Sequence, residues 1–456
     1  MALVTSVVPR TRRNVELVLL VLSFAVALGA YALVGIAETG HVPADMITVG
    51  GGLVLLTLAL HVVTRLRAPY ADPVILPIAT AINGIGLVMI HRLDFVGRYG
   101  HSLAPRQLMW TAVGIVAAVI LILLLHDHRG LSRYTYTAMT LGLVLLLLPL
   151  VPKLGMTLNG ARIWIRVGPF SFQPGELAKI ALAVFFAGYL VTARDSLSLV
   201  GKKVLGLQLP RGRDIGPLLL SWAVSLGVLV FERDLGTSLL FFGLFVALLY
   251  VATERMSWIV IGLSLFVGGA VVAWSLFSHV QVRVAIWLHP FTPELLQGQS
   301  YQLVQGLYGM ASGGLLGTGL GQGSPGKIPQ SESDFVYASL GEELGLTGLF
   351  AVLVLYILLI ERGLRTAIGV RDGFGKLLVG GVSFSLALQV FVVVGGVTRV
   401  IPLTGLTLPF LAYGGSSLVS NWVIVGLLLR ISDSARKPAP EPDPVAKASR
   451  PEEVAA

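Results

Sequence analysis

The chain has 456 residues, of which 55% are hydrophobic and only 12% charged, with a mean hydropathy of +0.83. A soluble domain carries about twice that charged fraction, so the composition excludes an ordinary soluble fold and implies an all-α polytopic membrane protein. The net charge of +9 is spread between apolar segments rather than gathered in one patch, which argues against a nucleic-acid partner. With no cysteine, disulfides, thiolate nucleophiles and Cys-ligated metals are excluded.

A spanning helix needs roughly 20 mostly apolar residues. Twelve candidates run near residues 15–37, 46–64, 73–92, 107–126, 134–152, 174–193, 214–231, 236–252, 256–277, 345–361, 376–397 and 405–430. Arg10, Arg12 and Arg13 precede the first, which is longer than a signal-peptide core and lacks a clear cleavage site, so it reads as a retained anchor. Lys and Arg are biased toward the loops on the N-terminal side, which places both termini in the cytoplasm. Residues 432–456, with the Pro-rich run PAPEPDPVAKASRPEEVAA, read as a disordered tail. Two outer loops, 153–173 and 278–344, exceed what connection requires, so chemistry is expected on the outer face.

The first of these loops and the next helix read NGARIWIRVGPFSFQPGELAKIAL, from Asn159 to Leu182. Pro174 suits a first helical turn, and Glu176 and Lys179 then share one face. Ionisable groups at that depth face a partner or a wet cavity. They read either as a structural ion pair or as a phosphate-binding ammonium oriented by a carboxylate. In FERDLGTSLL, the charges Glu232, Arg233 and Asp234 are either solvated at a turn or, for Asp234, a helix cap.

The large loop has eight glycines between Gly309 and Gly326. They allow an anion-binding nest, a flexible loop being the plainer reading. Just upstream, QGQSYQLVQGLYGMA fits an interfacial helix. Asp334 is followed at once by Phe335, Val336 and Tyr337, and such apolar surroundings raise a carboxylate toward the pKa of a useful general base. Solvation is the bland alternative. Near the C-terminus, VTRVIPLTGLTLPFLAYGGSSLVSN combines Arg399, prolines and the run Gly414, Gly415, Ser416, Ser417. Proline and glycine at membrane depth imply broken helix lining a cavity, where Arg399 either neutralises a phosphate or snorkels.

Taken together, WIRVGPFSFQPGELAK, DLGTSLL, the SYQ to GLGQG loop, KIPQSESDFVYASLGEELG and PLTGLTLPFLAYGGSSL resemble the shape, elongation, division and sporulation (SEDS) family of RodA, FtsW and SpoVE. They occur in the family's order over roughly residues 73–430. The resemblance implies a ten-helix core, taken as residues 69–431, that polymerises lipid II into peptidoglycan on the outer face of the bacterial plasma membrane. It also implies a class B penicillin-binding protein as partner. Residues 1–68 are then an additional helix pair.

By motif position, Asp334 falls on the family's essential aspartate. Trp164, Glu176, Lys179, Asp234 and the Gly414–Ser417 run fall on other motif positions. Two departures are plain: Ile163 precedes Trp164 where the family often has Arg, leaving Arg162 or Arg166 to supply the charge, and Ser333 replaces a Thr. The implied reaction needs a base and cationic charge at the departing pyrophosphate. Asp334 takes the first role, and Lys179 with Arg399 the second. Alternatively a divalent cation, magnesium or manganese, is held by Glu176 or Asp234. A flippase for the lipid-linked precursor is the main rival, a non-catalytic scaffold a third reading, and a RodA-like role in elongation is favoured over division.

Overall fold

The computed structural model describes residues 11–438 except 98–99, 101, 159–160, 169, 233, 297 and most of 199–229. Among the described residues, eleven helices are long and apolar enough to cross a bilayer. The first six are α1 (Arg13–Thr39), α2 (Met46–Arg67), α3 (Ile75–Asp94), α4 (Ala104–Leu124), α5 (Thr135–Leu147) and α6 (Gly175–Ser198). Flanking 3₁₀ turns extend the α5 span from His128 to Leu150. Next come α7 (Leu235–Thr253) and α8 (Met256–Leu276), two shorter helices α9 (Ser278–Leu288) and α10 (Tyr301–Gly313), then α11 (Val336–Gly369), α12 (Gly373–Val397) and α13 (Gly415–Arg436). The expected span near 214–231 lies largely outside the described residues, as does Arg233.

Local chemistry sets several helix starts. Asp234 accepts the Thr237 N–H at 3.0 Å at the head of α7, and Asp372 accepts the Gly375 N–H at 2.7 Å at the head of α12. Each side chain satisfies a donor that the first helical turn leaves open. α3 and α13 form the centre of the bundle, with 89% and 78% of their spanning windows buried, against 17% for the peripheral α8. Trp422 and Trp258 are fully buried. The outer surface is apolar, with Leu55 71%, Leu263 59% and Ile357 61% exposed, as hydrocarbon contact requires.

Three features depart from a bundle of uniform helices. The loop 153–173 is a three-stranded antiparallel sheet, β1 (Gly155–Leu158), β2 (Ala161–Val167) and β3 (Phe170–Phe172). The alternating ARIWIRV run suits a half-buried strand, and Gly168, at φ 60°, sits in the turn to β3. The last expected span, 405–430, is shifted: residues 401–414 are unwound and α13 begins at Gly415. α13 also runs to Arg436, past the expected tail boundary at 432. Ser432 Oγ accepts the Asp72 N–H at 3.0 Å and Asp433 accepts the Tyr70 N–H at 2.8 Å, so both residues are buried. Residues 439–456, most of the expected disordered tail, lie outside the described residues.

α11 is broken at Gly345, whose φ of 67° is left-handed. Glycine is required there, because L side chains are strained at positive φ. The break separates a short N-terminal piece, which follows Asp334 and Phe335, from the spanning piece.

Candidate active site

Two polar clusters lie along the unwound stretch 401–414. The first is built from α6, α12 and α13. The Lys179 ammonium donates to Glu176 Oε2 and to Gln389 Oε1, both at 2.9 Å. Ser420 Oγ donates to the same Glu176 oxygen at 3.0 Å, and Gln389 Nε2 donates to the Thr407 carbonyl at 2.9 Å. Glu176 and Lys179 are 6% and 3% exposed, so their charges are mutually compensated in a low-dielectric setting. The structural ion pair is therefore present, and Lys179 keeps a third N–H for a ligand.

The second cluster surrounds Asp334, just ahead of α11. Its carboxylate is pushed up to about 7, first by burial and further by Glu332 and Asp234, while Arg283 opposes the shift. Arg283, on α9, faces both Asp234 and Asp334 and donates to the Leu403 carbonyl at 2.7 Å. Gly405 sits between them: a methyl built there would be 3.9 Å from an Asp334 carboxylate oxygen and 3.9 Å from an Arg283 guanidinium nitrogen. Glu232 is pushed up to about 8, by burial and then by Asp234, and burial raises Asp234 as well. Asp234 and Asp334 thus face one guanidinium, with Glu232 coupled to Asp234 and Glu332 to Asp334; sequence reading did not single out Arg283.

The unwound stretch joins the clusters. Leu403 receives Arg283, Gly405 abuts Asp334, Thr407 receives Gln389, and the Tyr413 N–H donates to the Glu332 carbonyl at 2.7 Å. Thr407 Oγ1 and Glu332 Oε2 are buried without a hydrogen-bond partner among the described residues. Polar atoms left so are costly unless a ligand or water meets them.

The remaining expected residues take other places. Ser416 Oγ accepts the Gln173 N–H at 2.8 Å, and Ser417 accepts the Asn421 side-chain amide. Gly414 and Gly415 open α13, where Gly415 packs against Trp110. Trp110 meets Phe170 of β3 edge-on at 5.4 Å, which fixes the sheet beside this run. Trp164 is half-buried in β2, paired with Met156, while Arg162 donates to the Pro149 carbonyl at 3.0 Å and Arg166 is exposed.

Arg399 was expected at the phosphate. It is exposed, at φ 63°, and its guanidinium donates to the Trp287 and Leu288 carbonyls at 2.8 and 3.0 Å. It closes the C-terminal end of α9, where carbonyls lack helical partners, instead of entering either cluster.

The glycine-rich loop already holds carboxylates. Gly321 N–H donates to Glu343 at 3.0 Å and Ser324 N–H to Glu342 at 2.8 Å. Arg92 of α3 clamps the arrangement, meeting Glu343 at 2.7 Å, Glu38 of α1 at 2.9 Å and the Gly323 carbonyl at 2.9 Å. Both the nest-like donors and the flexibility anticipated for this loop are thereby taken up internally.

Neither carboxylate expected to hold a divalent cation is uncommitted. Glu176 is bound to Lys179, and both Asp234 oxygens are taken by Thr237. Among the described residues no group of three or more His, Asp or Glu gathers as a metal cluster would. That donor set does not fit a resident magnesium or manganese ion.

Residues 73–437 match the family model of FtsW, RodA and SpoVE, described as a cell cycle protein. The chain belongs to the FtsW, RodA and SpoVE family. The peptidoglycan glycosyltransferase RodA of Mycobacterium tuberculosis is 49% identical over 433 residues, covering 94% of this chain and 92% of that one. Stage V sporulation protein E of Bacillus subtilis is 33% identical over 376 residues, covering 80% and 98%. A solved chain from a peptidoglycan synthase complex, studied for coordination of polymerization and crosslinking, superposes with a TM-score of 0.63 at 28% identity, covering 80% and 98%. The family model begins after α1 and α2, yet a match to 94% of the chain must reach into that pair. The helix pair is therefore shared at least in part with the mycobacterial relative.

Proposed function

We infer that this membrane-embedded glycosyltransferase polymerises lipid II into glycan strands at the outer face of the plasma membrane, with Asp334 as general base. The observation that carries the reading is the Asp334 carboxylate, beside Gly405 and facing Arg283 and pushed up to about 7 by burial, in a chain of the RodA family. A base is most effective when its pKa lies near the working pH.

The attacking sugar hydroxyl gives its proton to Asp334 as its oxygen bonds to the anomeric carbon of the second substrate. The bond from that carbon to the pyrophosphate oxygen breaks, and undecaprenyl pyrophosphate leaves with the electron pair. Arg283 keeps Asp334 ionised often enough to act, and the free N–H of Lys179 offers positive charge to the leaving group. No step is routed through a metal. Both termini face the cytoplasm, and a class B penicillin-binding protein docks on the bundle to cross-link the product. Likeness to RodA supports elongation over division.

Purified protein with labelled lipid II is the test. Polymer supports the enzyme. Translocation across vesicles without polymer would replace it with a flippase, and neither activity would leave a scaffold.

A further inference from the structure

The recess where α1 begins and α2 ends lies far from the chemistry. Glu38, near the other end of α1, reaches the catalytic loop through Arg92, and the 27 residues of α1 span about 40 Å. The recess has a volume of about 240 Å³ and is lined by Thr11, Arg13, Asn14, Arg65 and Pro69. Arg13 is 4% exposed. Its terminal nitrogens donate to Glu16 and to the Ala71 carbonyl, but Nε is buried with no partner among the described residues.

The surrounding carboxylates are committed. Glu16 also takes His61 at 2.6 Å, Asp72 is paired with Arg436 and Arg362, and Asp433 is paired with Arg430. Among the described residues, Arg65 is exposed and its guanidinium touches only the Asn14 side chain, at 3.1 Å, and Arg12 and Arg67 are exposed beside it. An uncompensated cation and a buried, unsatisfied guanidinium donor therefore converge on one polar recess.

We propose that this recess binds the phosphate of an acidic phospholipid in the leaflet it faces. Arg65 supplies charge, and Arg13 Nε supplies a buried hydrogen bond. A lipid fits better than a soluble anion because apolar tracks run from the recess along both helices. Val18, one turn from Asn14, is 68% exposed, and Val62, one turn from Arg65, is 51% exposed. Acyl chains attached to the bound phosphate lie along those tracks.

Native mass spectrometry of the full chain, released from mixed phosphatidylglycerol and phosphatidylcholine, reads the site directly. The wild type should retain phosphatidylglycerol preferentially, and Arg65→Gln should cut that preference about fivefold, a typical weight for one basic residue near an acidic leaflet. Arg65→Lys should restore most of it. Equal melting temperatures in phosphatidylcholine establish that both variants fold. The proposal is overturned if the wild type shows no preference, or if Arg65→Gln retains phosphatidylglycerol as the wild type does. Displacement of the lipid by millimolar inorganic phosphate would assign the recess to a soluble anion and overturn the lipid claim too.

Discussion

Asp334 combines a raised pKa with a place at the mouth of a broken helix, and both have measurable consequences. Polymerisation should rise with pH through a midpoint near 7 as the carboxyl loses its proton. Asp334→Asn should lower the rate by roughly 10² to 10⁴ and flatten that profile. Stability should move the other way. The folded state holds this proton between the unfolded value near 4 and about 7, so the native side chain weakens the fold as pH rises through that window. The Asn variant should therefore melt no lower than wild type at pH 8, and a clear drop would mark Asp334 as structural.

Lys179 poses the opposite case, because its bond to Gln389 ties α6 to α12 while its bond to Glu176 neutralises a buried charge within α6. Lys179→Ala leaves Glu176 buried without its cation, and breaking such a pair costs about 3–5 kcal/mol. Polymerisation should vanish. Lys179→Met with Glu176→Gln, which removes both charges, separates the roles: a folded but inactive double variant assigns the ammonium to the substrate, whereas recovered activity would reduce it to a structural group.

At the scale of elements, most spans were legible because apolar runs of bilayer length stand out in sequence, whereas the last was displaced because the unwound stretch 401–414 is itself apolar. Asp334, Glu176 and Lys179 were legible because charged groups near the membrane are rare enough to notice. Arg283 was not, since its importance lies in contacts to Leu403, Asp234 and Asp334, at sequence separations no local pattern encodes. Arg399 misled for the same reason: its charge was visible, but not its proximity to the end of α9. The sheet escaped notice because its strands are only 4, 7 and 3 residues long, too short to stand out between long apolar segments.

Gly345 belongs to this scale as well. A methyl there would sit 2.6 Å from the Leu315 carbonyl at a left-handed φ of 67°. Gly345→Ala should cost about 1–3 kcal/mol and loosen the loop that carries Asp334. A lowered melting temperature with a larger fall in kcat than in affinity for lipid II would confirm that the break positions the base.

For the whole molecule, orientation and partnership each have a direct measurement. Reporter fusions at Gly323 and Ala446 should fall on opposite sides of the membrane, and a shared side would overturn the count of spans. Addition of the cognate class B penicillin-binding protein should raise the polymerisation rate, which a strand-length assay would register. If no such protein binds or stimulates, the partnership fails.

The clasp formed by Glu342, Glu343 and Arg92 bears on how substrate meets this surface. Its backbone donors are satisfied from within the chain, so the loop has already surrendered its conformational freedom during folding. A saccharide that docks against this loop should therefore not have to supply the entropy of ordering it.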